Sequence, residues 1–185
     1  DSICGLFSIF TEVAGYAPNA DEGKLEALAN FYKGEHSTLL TILRDAFSLD
    51  DGKLVMNCTE EWPFFDIFFQ RRQIKKYLIK YKQNMSDEEF AYAIQTAFEE
   101  KVACWVNYWT NSGHQQICLA GGGFANVKLN RVLFETYQHE IHIFPAMGDD
   151  GAACGAAILA AVNLDQDLTW LRDMCEPYFG QKCEK

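Results

Sequence analysis

The stretch that decides the fold is Ile117 to Ala160, ICLAGGGFANVKLNRVLFETYQHEIHIFPAMGDDGAACGAAILA. It holds two strand-to-helix turns in succession. Ile117–Ala120 is a short apolar run, the pattern of a buried strand. Gly121-Gly122-Gly123 breaks it. From Phe124 to Tyr137 apolar residues recur at Val127, Leu129, Val132, Leu133 and Phe134, a helical spacing. Glu140–Phe144 alternates like a second strand. Pro145-Ala146-Met147-Gly148 ends it, and Asp149-Asp150 stand where a helix N-cap belongs. The next helix, Gly151 to Val162, is mostly Ala, Gly and Ile, so other backbone can approach it closely. Each glycine turn opens a helix and should offer free backbone N–H groups, which suit phosphate or another anion.

Composition narrows the class. A chain of 185 residues, 49% hydrophobic with 14 Phe and only 4 Pro, is long enough for one domain with a real core and too apolar for wholesale disorder. A net charge of −10 disfavours non-specific nucleic-acid binding, which needs basic surface. A small anionic ligand stays open, because helix N-termini and single lysines set the local field. No apolar run approaches the roughly 20 residues of a membrane span. The start at Asp1, without Met, reads as that of a fragment, a processed chain or an excised piece. The 7 cysteines are odd in number and no pair is spaced C-x-x-C. This is the usage of a reduced, cytoplasmic protein, with Cys104, Cys118 and Cys154 as buried thiols among apolar or small neighbours.

Upstream, the pattern predicts a helix over 1–15 with Leu6, Phe7, Phe10 and Val13 on one stripe and Gly15 as its stop. A second helix, Lys24–Phe31, turns Leu25 and Leu28 inward, and a third spans His36–Phe47. Asp50-Asp51-Gly52 is a hairpin turn leading into a strand at Lys53–Cys58. The basic run from Arg71 to Lys82 reads as the solvated face of an amphipathic helix whose inner side carries Ile74, Leu78 and Tyr81, with a phosphate-contacting patch as the rival reading. Ser86-Asp87-Glu88-Glu89 is a capping box opening the longest helix, Asp87–Trp109. The strands Lys53–Cys58, Ile117–Ala120 and Glu140–Phe144 are expected to share one short mixed sheet, covered by the Asp87–Trp109 and Gly151–Val162 helices.

Several of these runs together resemble a known family. LAGGGFANVKLNRVL resembles the L-x-G-G-x-x-x-N-x-x-x-N-x-x-L turn of the NodU/CmcH-type O-carbamoyltransferases. IFPAMGDDGAACGAAI resembles their P-x-x-G-D-x-G-x-x-x-G-A-A turn. The run from Ser2 to Gly34 is similar to their N-terminal S-L-G…E-x-K segment, AYAIQTAFEEKV to their A-x-x-x-Q-x-x-x-E-E helix, and PYFGQ to their Y-L-G-P. The matches fall in order over nearly the whole chain, which makes them specific where a lone GGG is weak. Three positions depart from the pattern: Gly123 replaces an apolar residue, Asn30-Phe31 replace the pair before a Tyr, and Cys4 occupies a glycine position.

The resemblance implies an α/β fold, a ribonuclease H-like lobe of the actin/Hsp70/sugar-kinase (ASKHA, Kae1-like) nucleotide-binding fold with added helices. Residues 1–175 would form the C-terminal lobe of that domain and 176–185 a linker to a further domain. A partner lobe carrying an H-x-x-x-H metal motif would precede Asp1, and the isolated chain would be inactive. The implied ligands are ATP, a carbamoyl-adenylate made from ATP and carbamoyl phosphate, and a divalent metal, iron, completed by histidines of the other lobe. A hydroxyl-bearing small molecule would accept the carbamoyl group. Exposed turns left by the missing lobe would favour self-association.

Each candidate has a physical reason and a rival. Gly121, Gly122 and Gly123 lack side chains, so a phosphate or sugar can reach backbone N–H groups; the rival is a tight turn with no ligand. Asn126 can donate to and accept from a nucleotide, or act as a local cap. Glu22 suits a ribose diol and Lys24 a phosphate, or they form an exposed helix-start pair. Gly151 opens the second helix beneath a nucleotide. Asp149, with Asp150 as its alternative, offers a hard oxygen to a metal beside phosphate, or an ordinary N-cap. His139 and His142, three apart on a strand, point to opposite faces and diverge. Two functions of different class follow: the nucleotide-binding lobe of an O-carbamoyltransferase, and a non-catalytic ASKHA-like module that binds nucleotide or a partner. A sugar-kinase-like phosphotransferase is a distant third and would need a catalytic Asp in the other lobe.

Overall fold

The computed structural model describes residues 2–34, 36–111, 116–136, 140–149 and 151–169. The tail PYFGQ, Cys175, Cys183, His114, His139 and Asp150 lie outside the described residues, as does the 176–185 linker. The chain divides into two compact units, one of Asp1–Ile117 with Asn126–Glu140, the other of Cys118–Ala125 with Ile141–Lys185.

The first unit is helical. Helix α1, Ile3–Val13, buries Leu6, Phe7, Ile9 and Phe10. It stops at Gly15, whose φ of 90° only glycine adopts without strain. There the Tyr16 N–H bonds back to the Thr11 carbonyl at 3.0 Å, a Schellman closure. Helix α2, Glu22–Leu28, runs into a 3-10 turn, Ala29–Phe31. Leu25 is buried as expected, but Glu26 rather than Leu28 is the next buried side chain. Helix α3, Thr38–Ala46, is capped by the Ser37 hydroxyl, which accepts from the Leu40 N–H.

Strands β1, Phe47–Asp50, and β2, Lys53–Met56, pair antiparallel with Phe47 opposite Met56 and Asp50 opposite Lys53. Both turn residues have positive φ, 44° at Asp51 and 72° at Gly52, the two-residue hairpin geometry that matches strand twist. The expected helix ending at Phe47 therefore stops at Ala46, and the strand after it is new. Helix α4, Arg71–Lys82, buries Ile74 and Leu78 and leaves Arg72, Lys76 and Lys80 in solvent.

Helix α5, Asp87–Asn111, 25 residues long, is the axis of the unit. The Ser86 half of its capping box is formed, the Glu89 N–H donating to the Ser86 hydroxyl at 3.1 Å. Helices α1, α2 and α3 pack against it. Phe90 stacks on Phe10 at 4.6 Å between centroids, and Phe98 meets Phe7 edge-on at 5.5 Å. The hairpin docks on its far end, where the Trp105 and Trp109 indoles both donate to the Gly52 carbonyl, at 2.9 and 3.3 Å. A Cβ on Gly52 would strike the Tyr108 and Trp109 rings.

Strand β3, Gln116–Leu119, leads through a 3-10 turn, Gly122–Ala125, to helix α6, Val127–Thr136. Strand β4, Glu140–Ile143, and helix α7, Gly151–Asn163, follow. Three expectations are corrected here. Among the described residues the strands form two separate two-stranded sheets, β1-β2 and β3-β4, not one; the tight hairpin satisfies its ladder locally. No residue of α7 is buried, so this helix covers no core. The thiols are not buried either: Cys104 and Cys118 are exposed and Cys154 is half-buried. Periodicity explains the exposure of Cys104 and Cys118. Val102 and Val106 are buried and Cys104 lies between them on the opposite side of α5, while Leu119 takes the inner face of β3 and leaves Cys118 on the outer one. Among the described residues no helix is long and apolar enough to cross a membrane.

Candidate functional site

In the second unit the two glycine turns meet. The Gly121 N–H donates to the Met147 carbonyl at 2.8 Å, and two residues earlier the Leu119 carbonyl accepts from the Phe144 N–H at 3.1 Å. Gly121 has φ 109°, so a side chain there would be strained. The Phe124 N–H folds back on the Gly121 carbonyl at 3.0 Å and closes the 3-10 turn. The Gly122 and Gly123 N–H groups have no partner among the described residues. A Cβ added to Gly121, Gly122 or Gly148 would meet no atom within 4 Å. Gly151 is different: its Cβ would sit far inside contact distance of the Ala146 carbonyl oxygen. Its absence of side chain is demanded by the turn itself, with or without a ligand. The second turn is closed by Gly151 N–H to Gly148 carbonyl and Ala152 N–H to Asp149 carbonyl, both 3.1 Å. Gly121, Gly122, Gly148 and Asp149 are exposed.

In the first unit the N-terminus of α6 is already occupied. The Glu26 carboxylate, 7% exposed, accepts from the Lys128 N–H at 2.8 Å. The Asn126 side-chain oxygen accepts from the Leu129 N–H at 2.8 Å, an N-cap. The expectation that both helix starts offer free N–H groups is thus corrected for α6: the anion at its positive end is the protein's own Glu26. Asn126 also forms a reciprocal amide pair with Gln95, which is fully buried: Gln95 Nε2 to Asn126 Oδ1 at 3.0 Å, Asn126 Nδ2 to Gln95 Oε1 at 2.9 Å. Gln95 Nε2 gives its second hydrogen to Glu99 at 2.7 Å, and Lys128 Nζ lies 3.7 Å from the same carboxylate.

Glu22 and Lys24 are engaged within their own loop. Glu22 accepts from the Asn19 N–H at 2.6 Å, at a residue whose φ is 62°. Lys24 pairs with Asp21 at 2.8 Å and stands 6.0 Å from the Tyr16 ring centre. His142 is exposed. Among the described residues no three His, Cys, Asp or Glu side chains group as a metal site.

Glu26, Gln95, Glu99 and Lys128 are the polar residues that sequence reading missed as a cluster. Gln95 and Glu99 carried a signal, since i,i+4 spacing puts them on one helix face. Glu26 carried none, because it sits inside an apolar stripe.

Residues 1–158 match the family described as carbamoyltransferase N-terminus. The chain belongs to that family. It is 41% identical over 181 residues to the uncharacterized protein MJ1058 of Methanocaldococcus jannaschii, covering 97% of this chain and 29% of that protein. It is 27% identical to MJ1051 of the same organism over 188 residues, covering 100% of this chain and 34% of that protein. Against sll1178 of Synechocystis it is 31% identical over 166 residues, covering 83% of this chain and 26% of that protein. The chain therefore spans about a third or less of the length of the curated relatives it matches.

Proposed function

We propose that this chain supplies nucleotide-binding turns of an O-carbamoyltransferase, within a ribonuclease H-like lobe of the ASKHA class. The parent protein would move a carbamoyl group from carbamoyl phosphate, through a carbamoyl-adenylate, to a substrate hydroxyl. One observation carries the reading. Inside the family-matched residues, two glycine turns are hydrogen-bonded to each other through Gly121 and Met147. Beside that bond, two more glycines, Gly122 and Gly148, face open space. Bare backbone with N–H groups still to satisfy is what a phosphate needs for close approach. Gly122 and Gly123 would donate to phosphate oxygens, and the N-terminal end of α7 adds its positive potential.

Asp149 would contribute one oxygen to a divalent metal whose remaining ligands come from outside this chain. Such an ion would draw charge from the phosphates. Asn126 is held locally as the cap of α6. Glu22 and Lys24 would meet a ligand only by giving up their present partners. Among the described residues the turn offers one carboxylate, Asp149, so on this reading the chain by itself would be inactive.

The local engagement of Asn126, Glu22 and Lys24 favours a second reading, a non-catalytic module of the same fold. The full-length parent, incubated with ATP and carbon-14-labelled carbamoyl phosphate, separates the two. Label appearing in an adenylate, only when ATP is present, supports the transferase. ATP binding without labelled adenylate supports the module.

A further inference from the structure

Helix α4 is a basic island in an acidic chain. It carries six of the 16 Lys and Arg residues and no Asp or Glu. Three of the six are matched within the first unit: Arg71 and Lys75 bond to Glu12, and Lys82 pairs with Asp87 at 2.8 Å. The other three, Arg72, Lys76 and Lys80, are exposed and have no ion pair among the described residues. They recur every four residues and so form one stripe, on the side of α4 away from the buried Ile74 and Leu78. The stripe continues backwards into a pair of aromatics. The Gln70 N–H bonds to the Asp66 carbonyl at 3.2 Å, as in a helical turn, so Phe68 and Phe69 stand one turn before Arg72. That turn is tied down. The Gln70 side-chain oxygen accepts from the Phe65 and Asp66 N–H groups, Asp66 accepts from the Phe69 N–H, and Ile67 is buried. Phe68 and Phe69 are 84% and 81% exposed and pack edge-on against each other at 5.5 Å. Rings that exposed form a protrusion, not a groove.

We propose that this face of α4 binds the surface of an anionic lipid bilayer, with Phe68 and Phe69 entering the headgroup–acyl boundary and Arg72, Lys76 and Lys80 meeting lipid phosphates. A protruding ring pair needs a partner that opens around it. A bilayer does so anywhere on its surface, whereas a peptide or folded protein would need a pocket of matching shape. The three unpaired cations supply the charge complementarity, and their long apolar stems let the charged heads stay at phosphate level while the rings go deeper. Asp66, on the same turn, offsets part of this charge, but its carboxylate is turned back onto the Phe69 N–H. The chain's net charge of −10 does not cancel the attraction, because exposed charges more than about 8 Å away are largely screened at physiological salt. The attachment is peripheral, since Ile74 and Leu78 stay in the core. Without a bilayer the same rings are left to meet other copies of the chain. The inference stands whether or not the glycine turns bind nucleotide.

The test is co-sedimentation of the full-length parent with large unilamellar vesicles, made of phosphatidylcholine alone or mixed with phosphatidylglycerol. Wild type is expected to bind the mixed vesicles at least tenfold more tightly than the neutral ones. Phe68→Ser/Phe69→Ser and Arg72→Gln/Lys76→Gln/Lys80→Gln should each lose tenfold or more. Both should keep the fold, because all five side chains are exposed. A control on α6, Arg131→Gln/Phe134→Ser, removes an exposed cation and an exposed ring elsewhere in the same unit and should bind within twofold of wild type. Should the triple variant not fold, raised potassium chloride reads the same charge contribution in the wild type and should release it from the vesicles. Inorganic phosphate, compared with chloride at equal ionic strength, should not displace the vesicles; displacement would mark a free-phosphate site and overturn the inference. It is also overturned by a wild type that ignores the mixed vesicles or binds neutral ones equally, by binding that survives in either α4 variant, and by a control that falls as far as they do. A parent that ignores vesicles but binds polyglutamate through the same residues makes the face a protein-docking surface and overturns the bilayer reading.

Discussion

The Gly121 N–H donates to the Met147 carbonyl at 2.8 Å, so two turns separated by a whole helix and strand are joined through their backbones. Both turns use glycine, but for different reasons, and the difference is measurable. Gly151→Ala would drive a methyl into the Ala146 carbonyl. It should destabilise the second turn by ~1–3 kcal/mol, the usual cost of overpacking. Gly122→Ala meets no atom within 4 Å and should leave stability unchanged or raise it by ~0.5 kcal/mol. Thermal melts of both variants check this; equal Tm values would mean the Gly151 clash is relieved by movement of the turn.

Asn126 combines a cap with a clamp. Asn126→Ala removes the cap, ~1 kcal/mol, and also leaves the buried Gln95 amide short of partners, ~1–3 kcal/mol more. Asn126→Asp keeps the cap oxygen and should cost less than Ala. Urea unfolding orders the three proteins wild type, Asp, Ala. An Ala variant as stable as the Asp variant would show that the cap carries none of the effect.

How much of this was legible beforehand depends on range. The stop of α1 at Gly15 and the start of α5 at Ser86–Glu89 were readable because a helix end is decided within four residues. The two glycine turns were readable for the same reason. The partner of β2 was not: Phe47 continues the apolar spacing of α3, and only the pairing of Phe47 with Met56 and Ser48 with Val55 makes this segment a strand. Nor was the Gln95–Asn126 pair, which joins residues 31 apart, or the burial of Glu26, which depends on an N–H supplied by Lys128. The cysteines misled because apolar neighbours in sequence are not neighbours in space on a helix or strand.

Acid should loosen the contact of α1 with α4. Glu12 receives hydrogen bonds from Lys75 and Arg71, and the Lys75 bond above all holds its carboxyl below the ordinary 4.5. A lowered folded value means the contribution is present above 4.5 and lost as pH falls through it. These side chains are 30–41% exposed, so Glu12→Gln should cost only about 0.5 kcal/mol at pH 7. Urea midpoints from pH 7 to pH 3 should show the gap between wild type and variant closing below pH 4.5. A gap that persists to pH 3 would place its origin outside the ion pair.

Surface aromatics should govern self-association. Phe68 and Phe69 are 84% and 81% exposed, and their turn is fixed by hydrogen bonds from the Phe69 N–H to Asp66 and the Phe65 N–H to Gln70. The double variant Phe68→Ser/Phe69→Ser therefore has little folded contact to lose. It should keep its Tm within about 2 °C of wild type, as surface substitutions do. Sedimentation velocity should show the wild-type chain associating with concentration and the variant less so. A wild-type chain that stays monomeric throughout contradicts the expectation.

The most direct measurement of the central claim is ATP binding by the full-length parent with and without a side chain at Gly122. Gly122→Val adds bulk where the structure has open space, so any effect on a ligand is separable from an effect on the fold. The account predicts one saturable ATP site per chain in the wild type, an affinity at least about a hundredfold weaker in Gly122→Val, more than 2.7 kcal/mol, and melting temperatures that agree within a few degrees. A wild type that ignores ATP, or a Gly122→Val variant that binds it as tightly, contradicts the placement of a nucleotide at this turn.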